Sequence, residues 1–267
     1  MDLKYLINLP PEKAIKFLKN KGYEFSWDWE DTWQSAHQKA FTVAKVMKQD
    51  ILSDIREAVE SAMENGLTLE QFKKELEPKL KDKGWWGIVS GKPEDVRAEL
   101  LKRNLIQKAD LIPGGDEVIT VQLGSPWRLK TIYRTNIQTS YMAGRYKEQI
   151  ENVENRPYWQ YVAVMDKKTR PAHSMLNGRI FRFDDPFWDS FYPPNGWGCR
   201  CRVRALSEDN VKERKLGVDS SQLSEELRLV SKKTGELRPV AVYTDPLTEH
   251  KISPDVGWSY NPGKENK

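Results

Sequence analysis

Between Asp166 and Cys201 the chain reads DKKTRPAHSMLNGRIFRFDDPFWDSFYPPNGWGCRC. Turn residues and aromatics crowd this stretch and it has little periodicity, so no single helix or strand accounts for it. Both cysteines, one of the three histidines, a Pro193-Pro194-Asn195-Gly196 turn and the pair Asp184-Asp185 fall inside it. Elsewhere the pattern is of helices with charged faces. A segment of this kind folds around something specific: a catalytic site, a metal, or a compact structural knot.

At 267 residues the chain has room for one large domain or two small ones. A hydrophobic content of 38%, with 10% aromatics, suffices for a core, and 31% charged residues suit long solvated helical faces. The net charge of +4 comes without large Lys/Arg blocks, so composition alone does not argue for direct nucleic-acid binding. Apolar runs fall short of the roughly 18–20 residues of a membrane span. The N-terminus shows no signal-peptide core, and the expectation is a soluble protein that matures in the cytoplasm. Two cysteines separated only by Arg200 make no disulfide framework.

Pro10-Pro11 opens a short helix that Gly22 ends, and residues 23–31 form an aromatic, acidic connector. From about Thr32, Trp33, Ala36, Ala40, Val43, Met47, Ile51, Ile55, Val59 and Ala62 recur at spacings of three and four, predicting one long helix closed by Asn65-Gly66. Thr68 and Gln71 form a capping box for the next helix. Gly84-Trp85-Trp86-Gly87 is a break before EDVRAELLKRNLIQKAD resumes helix, and Pro-Gly-Gly at 113–115 ends the helical region. A second long helix covers about Trp127–Glu151. Leu129, Ile132, Tyr133, Ile137 and Tyr141 line one face, Asn136, Ser140 and Gly144 continue it, and Arg134, Gln138, Arg145 and Lys147 lie largely elsewhere. Strands are expected at 158–164, 179–183 and 200–205, with a hairpin pairing 227–230 and 240–243 through 233–235, and loop after Pro254. The fold class is α+β: a helical N-terminal region, 1–112, then a small α+β domain, 113–267, with a short antiparallel sheet.

Asp166 follows a strand, and His173 comes after a Thr-Arg-Pro turn. On extended backbone Cys199 and Cys201 point to one face and Arg200 to the other. One reading joins Asp166, His173, Cys199 and Cys201 as zinc ligands, at spacings unlike the paired Cys-x-x-Cys knuckles. Another makes a cysteine the nucleophile and His173 its base. The favoured reading is structural and expects no cofactor: the thiols are small buried hydrophobes, with His173 bonded to Asp166 or a carbonyl and Asp184-Asp185-Pro186 capping a turn. Arg134 and Arg145 suit either phosphate contact or a solvated face. Phe187, Trp188, Phe191, Tyr192 and Trp197 suit either a stacking platform for single strands or a core.

In combination, Asp166-x-x-Thr-Arg-Pro-x-His173, Leu176-Asn-Gly178, Asp184-Asp185-Pro-Phe-Trp188 and Pro193-Pro194-Asn-Gly-Trp-x-Cys-Arg-Cys201 closely resemble the core of the phage Mu F-like minor head proteins. Arg134-Thr-Asn136 looks like that family's Arg-Thr-Asn/Glu element, and Gly257-Trp-Ser-Tyr-Asn-Pro-Gly263 is similar to its C-terminal motif. These motifs cover about residues 128–263, and the N-terminal half matches in pattern more than in motif. The resemblance implies a head-morphogenesis protein of a tailed phage or prophage, a minor virion component at the capsid interior or portal vertex. Its implied partners are portal, scaffold and capsid proteins, with transient DNA contact during packaging or ejection, no membrane, and host cytoplasm during assembly. Many relatives carry Cys-x-x-Cys in the Thr-Arg-Pro-Ala-His region and a His before the final cysteine. Here those positions read Arg170, His173 and Gly196, which removes two would-be ligands and weakens the case for zinc. The expectation is a non-enzyme. The rival is a metal-dependent nuclease or transferase-like toxin using His173, Asp166 and the Cys199/Cys201 pair.

Overall fold

The computed structural model describes residues 11–31, 36–108, 110, 117–232 and 234–264. In chain order its elements are α1 (Pro11–Lys19), β1 (Gly22–Tyr23), a 3₁₀ turn (Trp29–Asp31), α2 (Ala36–Lys39), β2 (Ala40–Phe41), α3 (Gln49–Asn65) and α4 (Leu69–Asp82). There follow β3 (Ile88–Gly91), α5 (Pro93–Lys102), β4 (Ile119–Gln122), α6 (Pro126–Glu151), β5 (Tyr158–Val162), α7 (Pro171–Met175), β6 (Ile180–Arg182) and α8 (Phe187–Phe191). The chain closes through β7 (Arg202–Leu206), α9 (Glu208–Glu213), β8 (Leu223–Leu229), β9 (Leu237–Thr244) and β10 (Lys251–Ile252). This is the α+β class the sequence led us to expect, although strands β1, β2 and β3 stand among the helices of the N-terminal region, β1 with β2 and β3 with β4 forming two small sheets. Among the described residues no helix is long and apolar enough to cross a membrane.

Two compact units divide these elements. One takes the described residues within 18–31 and 39–137, the other those within 11–17, 36–38 and 138–264. In the first unit, α3 buries Ile51, Leu52, Ile55, Val59, Ala62 and Met63 along one stripe, and α4 buries Phe72, Leu76 and Leu80. Gly66 stands at φ 64°, a conformation that favours glycine, and its N–H closes onto the Ala62 carbonyl. The capping box forms as expected: Thr68 N–H donates to Gln71 Oε1 (2.8 Å), and Gln71 N–H donates to Thr68 Oγ1 (3.3 Å). Thr68→Ala is therefore expected to destabilise the chain by about 1 kcal/mol in urea unfolding, with the slope of the transition unchanged.

The long helix expected from Thr32 to Ala62 is corrected. Thr32 and Trp33 lie outside the described residues, and the continuous helix starts only at Gln49. Ala40 and Phe41 instead pair in parallel with Gly22 and Tyr23, and Val46 bridges Ser26. Lys45 adopts φ 66° and donates its N–H to the Ser26 and Trp27 carbonyls (3.0 and 3.1 Å). Pairing with the 23–31 connector thus outweighs the helical spacing of Ala40, Val43 and Met47, and the segment is anchored instead by the buried Phe41, Val43 and Val46. Two further corrections belong here. The break at Gly84–Gly87 leads into β3, which pairs antiparallel with β4, and α5 ends at Lys102 where Asn104 turns to φ 55°. The Pro-Gly-Gly expected to end the helical region lies outside the described residues.

In the second unit β5 is the centre of an antiparallel sheet ordered β6–β5–β7. The registers run Trp159↔Phe181 on one side and Trp159↔Ala205 on the other. Around it Trp159, Tyr161, Phe181, Phe187, Trp188, Phe191, Tyr192, Val203 and Tyr243 form one buried cluster. A second antiparallel sheet is ordered β10–β9–β8, the expected hairpin with longer arms. Gly144 in α6 leaves no room for a side chain, since a Cβ there would lie 3.0 Å from the Ala14 backbone nitrogen of α1. The loop-like tail is buried rather than loose. Asn261 Nδ2 donates to the Trp188 carbonyl (2.9 Å), and a Cβ on Gly263 would strike the Tyr146 ring.

Candidate functional site

Strand β5 positions the site, because the chain leaves one of its ends and returns to the same end. After Val162 the backbone turns at Asp166, whose Oδ1 accepts from Lys168 N–H (2.9 Å). Pro171 then starts α7 at its first turn, which sets His173 in the buried face. Gly178, at φ 90°, donates its N–H to the Tyr161 carbonyl (2.8 Å) and sends the chain back as β6. On the other side, β7 pairs Arg202 with Val162, so Cys199 and Cys201 arrive beside that same end of β5. The strand begins at Arg202 rather than at Arg200, and both thiols nevertheless face His173.

His173 Nδ1 lies 3.7 Å from Cys199 Sγ and 3.6 Å from Cys201 Sγ, and all three side chains are buried. Zinc–sulfur and zinc–imidazole bonds of about 2.3 and 2.0 Å, spread tetrahedrally, hold sulfur and nitrogen about 3.5 Å apart. The three donor atoms lie within 4.8 Å of one another, so the cluster has the size and the soft donor set of a zinc site. Burial pushes the Cys199 thiol well up, while Cys201 is held down by its hydrogen bond with Cys199 and also by the Tyr161 hydroxyl. His173 Nε2 has no partner among the described residues, so packing and the start of α7 orient the ring.

Asp166, the expected fourth ligand, is elsewhere. Both its oxygens take a fork of hydrogen bonds from the Arg200 guanidinium, one at 2.6 Å, and this pairing holds its carboxyl well below the usual carboxylate range. Alternation along 199–201 explains the split: the thiols turn in and Arg200 turns out, carrying Asp166 with it. A catalytic grouping of Asp166 with His173 is therefore not what the chain builds. Among the described residues, no fourth His, Cys, Asp or Glu joins the cluster.

The remaining motif residues support the frame. Asp185 accepts from the N–H groups of Phe187 (2.9 Å) and Ser221 (3.1 Å), whereas Asp184 only pairs with exposed Arg182. Pro193-Pro194 is a cis peptide that leads into Asn195, whose Oδ1 accepts from the Tyr161 hydroxyl (2.9 Å). A Cβ on Gly196 would displace the Asp255 carboxylate from its place beside Arg170. Arg170 donates to the Trp197 carbonyl (2.8 Å) and pairs with Asp255 (3.2 Å). Arg134 and Asn136 belong to the first unit, where Asn136 bonds back to the Ile132 carbonyl of its own helix (2.9 Å). Phe187, Trp188, Phe191 and Tyr192 are core, which removes them as a stacking platform, and Trp197 stands edge-on to Trp258 with centroids 5.1 Å apart.

Sequence reasoning also missed the supports from α6. Gln138 Nε2 donates to the Cys201 carbonyl (3.0 Å), and Arg145 and Gln149 both donate to the Val203 carbonyl (3.2 Å each). Gln138 and Arg145 thus face the domain interior, which accounts for Arg145 without a phosphate. Positions 138, 145 and 149 stand two and three turns apart on one helical face, a signal that was present in the spacing.

Among known families, the one described as phage Mu protein F like protein matches residues 53–204. The chain is 42% identical to the putative capsid assembly protein F of Escherichia phage Mu, over 98% of this chain and 56% of that protein. It is 44% identical to the Mu-like prophage FluMu F protein of Haemophilus influenzae, over 89% of this chain and 53% of that protein. The chain therefore spans about half the length of the curated relatives it matches. No solved structure matches it.

Proposed function

Because the chain belongs to the phage Mu protein F like family, we propose that it is a minor head protein that takes part in capsid assembly of a tailed phage or prophage. The observation that carries this reading is the 42% identity to the phage Mu capsid assembly protein, sustained over 98% of the chain. Action near the portal, contact with scaffold and capsid proteins, and a part in DNA packaging or ejection belong to the same proposal. A building role rather than turnover is supported by how the motif residues are used. Asp166 is held by Arg200, Asp185 fastens two backbone N–H groups, and the aromatics fill a core.

In the same proposal, His173, Cys199 and Cys201 would hold one zinc ion, its fourth position left to a ligand that the described residues do not supply, and the ion would tie α7 to the chain entering β7. The ion supplies cross-linking, fastening segments that contribute little regular structure of their own.

The test is genetic and compositional. Heads purified from a phage or prophage encoding the chain are expected to contain it at low copy, and deletion of its gene to reduce full heads by an order of magnitude or more. Heads that assemble and fill normally in its absence, and that lack it in the parent strain, would overturn the proposal.

A further inference from the structure

Strand β8 is the open edge of the β10–β9–β8 sheet. Val230 N–H donates to the Glu236 carbonyl (2.8 Å), which fixes the phase of the ladder. By antiparallel alternation, Ser224, Glu226 and Arg228 turn their backbone groups toward β9, and Glu225, Leu227 and Leu229 turn theirs outward. Among the described residues nothing bonds those outward groups. Leu227 and Leu229 are 65% and 48% exposed, and Leu237, paired with Leu229, is 53% exposed on the same face. Leu223–Leu229 holds no proline, and its charges, Glu225, Glu226 and Arg228, are of both signs, so they oppose some pairing registers and favour another.

We propose that β8 pairs antiparallel with β8 of a second copy of this chain, about a twofold axis through Leu227. The edge is self-complementary in one register. With Leu227 opposite its own copy, outward backbone groups meet outward groups, and Glu226 of each chain faces Arg228 of the other, twice. A shift of two residues one way opposes Glu226 to Glu226, and the other way Arg228 to Arg228. Charge therefore selects the register in which the leucines meet at the centre. Within one chain Glu226 accepts from Arg228 (2.7 Å) and, across β9, from Lys251 of β10 (3.0 Å), so pairing with the partner exchanges the Arg228 contact within the chain for one between chains.

The test is a charge swap read by sedimentation velocity on the full chain. Wild type is expected to show a concentration-dependent monomer–dimer equilibrium. Glu226→Arg sets arginine against arginine at both cross-strand pairs, and Arg228→Glu sets glutamate against glutamate. Each variant alone is therefore expected to dimerise roughly tenfold or more weakly. Mixed one to one, the two variants oppose arginines on one strand to glutamates on the other, and a heterodimer of near wild-type strength is expected. Wild type that stays monomeric at every concentration, single variants that associate like wild type, or a mixture no tighter than its components would each overturn the proposal. Amide exchange gives a second readout that needs no variant. The Glu225, Leu227 and Leu229 N–H groups are expected to gain protection as concentration rises, and protection independent of concentration would count against pairing.

Discussion

Cys201→Ser is expected to take the purified chain from about one zinc per molecule to none, read by elemental analysis of protein grown with zinc present. His173→Ala and Cys199→Ser should do the same, since the three donors stand within 4.8 Å of one another, close enough for one ion to need all three. Asp166→Asn should leave the zinc content unchanged, because that carboxylate is occupied by Arg200. A strong chelator should lower stability by about 4 kcal/mol where free zinc had been about a thousandfold above its dissociation constant. Zinc contributes more than this to small finger peptides, about 10–16 kcal/mol, but here an aromatic cluster already carries the surrounding fold. Zinc retained in Cys201→Ser, or lost in Asp166→Asn, would disprove the three-ligand assignment. Metal-free protein from zinc-replete cells would disprove the site altogether.

Trp159→Ala is expected to destabilise the second unit by about 3–5 kcal/mol, read from denaturant unfolding followed by fluorescence. Trp159 is fully buried on the central strand, with the rings of Tyr146, Phe183, Trp188 and Tyr192 at centroid distances of 5.7, 6.3, 5.7 and 5.9 Å. Alanine would leave a cavity bounded by large rings that cannot collapse into it. The comparison with Trp188 separates packing from hydrogen bonding. Trp188 Nε1 donates to the Arg182 carbonyl (3.0 Å), whereas Trp159 Nε1 has no partner among the described residues. Trp188→Phe should therefore cost about 1 kcal/mol more than Trp159→Phe, the net worth of one hydrogen bond, with the Arg182 carbonyl still accepting from Asp185 N–H (3.1 Å). Equal losses would show that the Trp188 bond contributes nothing net.

Much of the frame was legible before any coordinates. The apolar face from Leu129 to Tyr141 marked α6, expected over Trp127–Glu151 and found at Pro126–Glu151, Thr68 with Gln71 marked the start of α4, and β-branched and aromatic density marked β5. The spacing of Cys199 and Cys201 put both thiols on one face, and the two do meet His173. The places where reading failed are those where a distant segment decided. Residues 40–46 follow helical spacing but pair with 22–26, and Gln138 looks peripheral until the Cys201 carbonyl arrives beside it.

Sequence alone therefore determined the elements whose signals lie within a few residues: caps, turns, periodic faces, and the motifs that mark the family. Tertiary structure decided which side chains share a space. Asp166 and His173 are seven residues apart and follow the same strand, yet one ends against Arg200 at the surface and the other between two buried thiols. Local spacing sets which face a side chain takes, but its partner depends on where the chain reverses at Gly178 and how β7 registers against β5. Those are long-range events. They are chosen by the burial of the aromatic cluster as a whole, and no window of neighbouring residues contains them.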